Sequence, residues 1–437
     1  MRTFPVTGST PRRTRSALPA MALATAGVVV SAGLVATGSA APASAAVEMC
    51  QGRVATIVAT ERDQELTGTD GPDVISTAGE YQVQVDGRGG DDLICTRAGT
   101  SARASGGAGD DTLVDSVGPL DENLAGNSTY LLGGAGDDRI VGVPGIPNTV
   151  AAYATIADFS DATDAVTIRL DAGVATGGGA GRDELEGITA ASGSYYADTF
   201  IGSSGADYYD TGNHPDGRTK ALDDVRTGAG DDEVKGIRGS VRLGAGDDEA
   251  DLDISRIWGE AGDDVLNISI KGFARGGSGN DTVTGSSDYE YNFRPTHTWV
   301  RTYGGSGADV MLLPGVVAEG DPSCPEVCGR GSVDGGSGID RLHLGSDPSV
   351  VDLAAGTGRS RAGRGRLRSI ERVIGSNYGD ILRGSARDDV LSGGGGRDVL
   401  IGRGGDDLLI GGESSRDRAD GGPGRDRCRQ VEIRRSC

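Results

Sequence analysis

Large apolar side chains along this 437-residue chain recur singly, between polar neighbours, with Gly and Asp filling the intervals. Gly106-Gly107-Ala108-Gly109-Asp110-Asp111-Thr112-Leu113-Val114 shows the unit, G-G-x-G-x-D-x-U-x, where U is a large apolar residue. The nine residues from Gly133, Gly276, Gly304, Gly335, Gly393 and Gly421 repeat it, the last with Cys428 at U. Looser copies begin at Gly68, Asp86, Gly193, Gly202, Thr227, Leu243, Gly259, Gly375, Gly384 and Gly402, so about seventeen copies cover Gly68 to Arg429. The x-U-x triplet alternates as a short strand does, with U inward and its neighbours facing solvent. The Gly-rich run reads as a turn, because positive φ is cheap for Gly. Self-similarity at a fixed short period marks stacked repeats.

Composition supports a thin core. Gly makes up 76 residues, and aromatics only 4%. So few rings cannot fill the thick cores of the roughly three domains that the length suggests, but a row of single aliphatics needs none. Collagen is excluded, since Gly holds no strict third position. The short ordered runs of Val, Ile and Leu argue against wholesale disorder. The net charge of −22 repels nucleic acid and anionic lipid and attracts cations.

Residues 1–45 read as an address. Arg12, Arg13 and Arg15 precede an apolar stretch from Ala17 to Ala36, and Ala43-Ser44-Ala45 is an A-x-A cleavage pattern. The expectation is a secreted, extracellular protein with no membrane span after cleavage, exported by either the general or the twin-arginine route. Six cysteines follow: Cys50, Cys95, Cys324, Cys328, Cys428 and Cys437. An even count in an exported chain suggests disulfides, and local grouping favours Cys50–Cys95, Cys324–Cys328 and Cys428–Cys437. Zinc at Cys324 and Cys328 is the alternative there, although none of the three His residues lies near in sequence.

The nonapeptides resemble the RTX family, the hemolysin-type calcium-binding repeats. The resemblance implies an all-β fold, a parallel β-roll or β-solenoid in which Gly-rich turns bind several Ca²⁺ ions and the triplets form strands. The run from Cys50 to Ile75 looks like the opening of exported actinobacterial proteins of this kind. Val166-Thr167-Ile168-Arg169-Leu170-Asp171 to Ile188 and Val350-Val351-Asp352-Leu353 to Ile370 are similar to a recurrent RTX-associated unit. Ile188 and Ile370 lie 182 residues apart, as do Gly193 and Gly375, which marks an internal duplication. The expected segments are a signal peptide (1–45), an N-terminal cap (46–67), a first β-roll segment (68–149), an RTX-associated unit (150–212), a one-sided β-roll (213–336), a second unit with tandem repeats (337–427) and a C-terminal cap (428–437).

Physical chemistry leads from the repeat to a cation. Parallel coils stack ~4.8 Å apart, so the sixth-position Asp of each coil lies over the next. Two bare charges at that distance repel by roughly 0.9 kcal/mol in bulk water, and by several times that near a protein surface. Ca²⁺, which takes six to eight hard oxygens from carboxylates and carbonyls, reverses the sign. The candidate ligands are Asp73, Asp91, Asp111, Asp138, Asp198, Asp207, Asp232, Asp248, Asp264, Asp281, Asp309, Asp340, Asp380, Asp389, Asp398, Asp407 and Asp426. Nine-residue steps from Gly375 to Gly402 predict two-sided coils, with Asp380 over Asp398 and Asp389 over Asp407. Steps of 16 and 17 in the middle predict one edge lined by Asp232, Asp248, Asp264 and Asp281; Asp73, Asp91 and Asp111 would line one edge near the N-terminus. Asp309, 28 and 31 residues from its neighbouring starts, is expected to stand apart.

The function expected is that of a non-catalytic calcium-binding repeat protein that folds outside the cytoplasm. The alternatives are a polysaccharide-active enzyme of lyase or epimerase type on the same solenoid, or a cell-surface adhesin. H-E-x-x-H and G-x-S-x-G are both absent. Two aromatic clusters, Tyr289, Tyr291, Phe293 and Trp299, and Tyr195, Tyr196, Tyr208, Tyr209 and His214, read either as local packing or as a carbohydrate or partner platform.

Overall fold

A computed structural model describes residues 48–116, 127–143, 155–212, 222–285, 300–313, 330–345, 347–360, 363–413 and 416–437. Residues 1–45, Cys324, Cys328, His214 and the cluster from Tyr289 to Trp299 lie outside them. The described residues hold strands and turns and no helix. The chain winds as a flattened coil whose two sides are parallel sheets.

Each coil places one aliphatic from each side into the interior, as the triplet requires. On the first sheet Ile75 lies over Ile94, Ile94 over Leu113, and Leu113 over Ile140. On the second sheet the row runs Tyr209, Val234, Ala250, Leu266, Val283, Met311, Leu342, Val373, Leu391 and Leu409, each in register with the next. These side chains are almost wholly buried and belong to one continuous cluster. Each stabilises the stack by roughly 1.5–3 kcal/mol. Tyr209 is fully buried and stacked on Phe200 at 4.4 Å between ring centroids, so this part of the second aromatic cluster is core packing.

Where the 16- and 17-residue steps occur, no turn interrupts one edge. Strands Glu233–Ala245, Glu249–Ala261 and Val265–Ser278 pass from the second sheet to the first without a break. The duplicated unit appears twice as the same excursion. Val166–Arg169, Val174–Gly177 and Arg182–Glu186 run antiparallel to one another within the first sheet, and parallel stacking then resumes. Val350–Asp352, Thr357–Ser360 and Gly363–Arg368 do the same. Leu185 and Leu367, 182 residues apart, both point inward.

Both ends carry a disulfide. Cys50 and Cys95 are joined with Cα atoms 5.6 Å apart. The bond pins the hairpin of Met49–Cys50 and Arg53–Val54 beside the first sheet, where Cys50 packs on Val74, Leu93 and Val114. Cys428 and Cys437 are joined with Cα atoms 5.7 Å apart. The tail does not fold back over the last coil. It forms half of that coil, with Ile433–Arg435 parallel to Arg418–Asp420. The last rung therefore shows Arg427, Arg429, Arg434 and Arg435 on open edges, a charged ending that resists strand addition.

Replacing Cys428 and Cys437 by Ser is expected to lower stability by about 2 kcal/mol and to raise amide hydrogen exchange in residues 417–437. Replacing Arg427, Arg429 and Arg434 by Thr is expected to add end-to-end association. Sedimentation velocity tests this; a monomeric triple variant would show that the charges do not guard the edge.

Candidate metal centre

Each turn is built around its glycines, for two separate reasons. In the turn from Gly106, Gly107 and Gly109 take φ of 106° and 139°, which side-chain-bearing residues rarely adopt. Gly106 itself has ordinary φ but no room. A Cβ there would meet the Oδ2 of Asp111 at 2.1 Å and the carbonyl oxygen of Gly133, one coil on, at 2.6 Å. The same pair of oxygens converges beside Gly259 (Asp264 and Gly276), Gly304 (Asp309 and Gly335), Gly393 (Asp398 and Gly411) and Gly402 (Asp407 and Gly421).

The sixth-position acids form ladders along the two edges. The backbone N–H of Asp92 donates to the Oδ1 of Asp111 at 2.7 Å, and that of Asp111 to Asp138 at 2.8 Å. The first edge runs Asp73, Asp92, Asp111, Asp138 and Asp183. It continues with Asp198 and Asp223, and ends with Asp380, Asp398, Asp417 and Glu432. The second edge runs Asp207, Asp232, Asp248, Asp264, Asp281, Asp309, Asp340 and Glu371, then Asp389, Asp407 and Asp426. The stacking expected at the C-terminus and the one-sided middle are both present.

Three readings change. The rung between Asp73 and Asp111 is Asp92, not Asp91: the turn starts at Gly87, and a slip of one residue moves a side chain to the other face. Asp91 belongs to a second, exposed row, in which its Oδ1 accepts the N–H of Asp110 at 3.1 Å and Asp110 accepts that of Asp137 at 2.9 Å. Asp309 does not stand apart. It bonds to Asp281 and Asp340 at 3.0 Å each, because the extra residues lie between rungs and leave the stack intact. Asp183, Asp223, Asp417, Glu371 and Glu432 also hold rungs. A one-residue insertion after Gly411 points to Asp417, and an acid just after Ile370 or Val431 points to the two Glu residues. Asp183 is the sixth residue of a further full copy, Gly178-Gly179-Ala180-Gly181-Arg182-Asp183-Glu184-Leu185-Glu186, on the last strand of the antiparallel excursion.

The turns fall into two classes. Where the second residue of the turn is neither Ser nor Thr, one carboxylate oxygen accepts the neighbouring rung and Oδ2 is buried with no hydrogen-bond donor. This holds for Asp92, Asp111, Asp138, Asp232, Asp248, Asp264, Asp281, Asp309, Asp340, Asp398 and Asp407, among others. In turns with Ser or Thr second, the turn satisfies its own Asp. Thr69 donates to Asp73 through N–H at 2.7 Å and Oγ1 at 2.9 Å. Ser194 does so for Asp198, Ser203 for Asp207 and Ser376 for Asp380. Ser385 binds one oxygen of Asp389, whose other oxygen is left without a donor.

Burial, followed by the charge of adjacent rungs, raises many of these orphaned carboxyls above the usual carboxylate range. Asp264 rises to about 8, with Asp248 and Asp281 on either side, and Asp111 and Asp248 rise to about 7. Such a row suits a hard cation. The converging atoms are carboxylate and carbonyl oxygens, the donor set of Ca²⁺. Among the described residues no three His, Cys, Asp or Glu side chains gather as a metal cluster. An ion between coils would therefore draw most of its oxygens from the backbone, which the flexible coordination of Ca²⁺ allows and a tetrahedral zinc site does not.

A family model of the RTX calcium-binding nonapeptide repeat matches residues 128–145, 190–213, 253–267, 273–288 and 374–409. No curated protein matches the chain.

A carboxyl whose folded pKa is raised stabilises the fold below its unfolded pKa, near 4, and loses that contribution as pH rises through the folded value. With divalent ions chelated, β-structure is therefore expected to persist to higher temperature at pH 5, where these carboxyls are protonated, than at pH 8, where they are charged and the rungs repel, across the window set by values of about 6 to 8. Thermal melts by circular dichroism in chelator test this; a melting temperature that rises with pH would contradict it.

Proposed function

We propose that this chain, which carries RTX calcium-binding repeats, is an exported, non-catalytic protein that folds as Ca²⁺ enters its turns outside the cytoplasm. The observation that carries this reading is the row of buried, donor-less carboxylate oxygens on both edges. They belong to the same turns that stack the sheets, so ion binding and coil stacking are one event, and binding free energy becomes folding free energy. Where Ca²⁺ is scarce the rungs repel, which keeps the chain unfolded before export. The two disulfides suit an oxidising compartment.

The ions are assigned to the turns that lack Ser or Thr at the second position. Asp111, Asp138, Asp232, Asp248, Asp264, Asp281, Asp309, Asp340, Asp398, Asp407 and Asp426 supply carboxylate oxygens, joined by Asp92 and Asp183. The residues Asp73, Asp198, Asp207 and Asp380 close their own turns through Ser or Thr and need no ion; Asp389 stands between the classes. When bound, Ca²⁺ supplies the positive charge that holds successive coils together. The chain contributes the rungs, the carbonyls and the bare space at the first glycine.

At pH 8, where the rungs are charged, circular dichroism of the chain without residues 1–45 is expected to show the β-signal only with Ca²⁺, with a midpoint near 10⁻⁴–10⁻³ M, roughly the range of extracellular modules. A chelated chain that keeps both its signal and its melting temperature would sink this reading. Calcium titrations separate the turn classes: Asp398→Asn and Asp309→Asn should each weaken the midpoint several-fold, whereas Asp380→Asn should leave it nearly unchanged. Equal effects of all three would remove the distinction.

A further inference from the structure

The outer face of the first sheet carries charge of the opposite sign to the ladders. Two columns of outward side chains cross six successive rungs. One reads Arg242, Trp258, Arg275, Tyr303, Asp334, Arg368; its neighbour reads Ser240, Arg256, Phe273, Arg301, Ser332, Arg366. Trp258, Phe273 and Tyr303 zigzag between the columns with ring centroids 5.5 and 5.3 Å apart, and Arg242 lies over Trp258 at 5.1 Å. Arg242 also meets Glu260 at 3.4 Å. Arg256, Arg275, Arg366 and Arg368 are exposed and make no ion pair among the described residues. At one end the columns open into a groove of about 730 Å³ lined by Arg301, Tyr303, Ser332, Asp334, Arg366 and Arg368. On the same coils the outward positions of the second sheet hold Glu249, Asp251 and a buried Glu233 paired with Lys235. A basic face on a chain of net charge −22 is not explained by calcium binding.

We propose that this face binds a linear uronate polysaccharide lying across the strands, from residues 239–245 to 363–368. Six rungs at ~4.8 Å span about 24 Å, and that spacing is close to the length of one sugar in an extended chain. Sugars on five of the six rungs then each bring a carboxylate toward an arginine, whose planar fork pairs with it bidentately, and the rung of Ser332 and Asp334 has none. The aromatic zigzag offers flat apolar surface to the sugar rings, and Asp334 and Ser332 can accept or donate to hydroxyls. A duplex nucleic acid, with one charge per ≈ 1.7 Å, is too dense for this array and is repelled by the acidic edges. The proposal needs the coils formed but does not depend on which turns hold ions.

The test uses the chain without residues 1–45, folded in Ca²⁺, as judged first by its circular dichroism. A defined-length oligogalacturonate is titrated while tryptophan emission and heat are followed. Neutral glucan of equal length, a sulfated oligosaccharide and single-stranded DNA serve as comparators. The oligogalacturonate is expected to bind, with affinity falling as salt rises, and the glucan not to bind. The double variant Arg275→Gln, Arg368→Gln, which leaves the ladders unaltered, should keep the dichroism and lose at least tenfold in affinity. That variant also separates direct binding from bridging by Ca²⁺, since it removes only the former. No binding by a chain with the correct dichroism, equal binding by the double variant, or tighter binding of DNA or of the sulfated chain would each overturn the assignment. So would an arginine-dependent self-association seen by sedimentation. A chain that shows no β-signal in Ca²⁺ fails at the earlier step, and identifies the folding reading as the one at fault.

Discussion

Parallel coils stacked at the hydrogen-bonding distance of strands place like residues over like. That constraint makes the molecule. In the interior it aligns Ile75, Ile94 and Leu113 into a continuous apolar row, so a one-side-chain-thick core suffices. At the edges it aligns aspartates, which is unfavourable unless something lies between them. The Oδ1 of each rung accepts the N–H of its neighbour and fixes the register. The Oδ2 is left in a buried space bounded by a glycine and a carbonyl from the next coil. Structure and ion requirement thus come from the same residues.

The two turn classes show how the requirement is modulated. A Ser or Thr at the second position donates through both N–H and hydroxyl to the Asp of its own turn. Gly at that position, or Arg88, Glu260 or Arg403, offers no such hydroxyl, and the oxygen is left without a donor. Ser and Thr turns stand at Gly68, at Gly193 and Gly202, and at Gly375 and Gly384, so coils that satisfy themselves sit where stacking begins and where it resumes after each antiparallel excursion. At Asp223 a buried tyrosine takes a related part, with the Tyr209 hydroxyl donating at 3.4 Å.

Charge is also divided by face. The acids of the turns lie along both edges, the second sheet adds Glu249 and Asp251, and the arginines gather on the first sheet with Trp258, Phe273 and Tyr303. Alternation within each strand makes this possible, since only the outward positions are free to carry charge while the inward ones hold the core.

Much of this was legible in the residues. The nonapeptide period determined the parallel coil, the inward U position and the sixth-position acid, because a side-chain period of two and a glycine turn leave few other arrangements. Tandem nines at Gly375 to Gly402 determined the two-sided stack, and the 182-residue duplication determined two equal excursions. Tertiary structure alone decided which acids share a ladder. Insertions between Asp281, Asp309 and Asp340 are long in sequence but leave the coils adjacent, so spacing along the chain overstated their separation. Asp92 replaced Asp91 because neighbouring acids in a Gly-Asp-Asp turn differ only in the face they present. The arginine columns had no local signature at all, since they depend on strands brought together by stacking rather than on any residue's own neighbours in sequence.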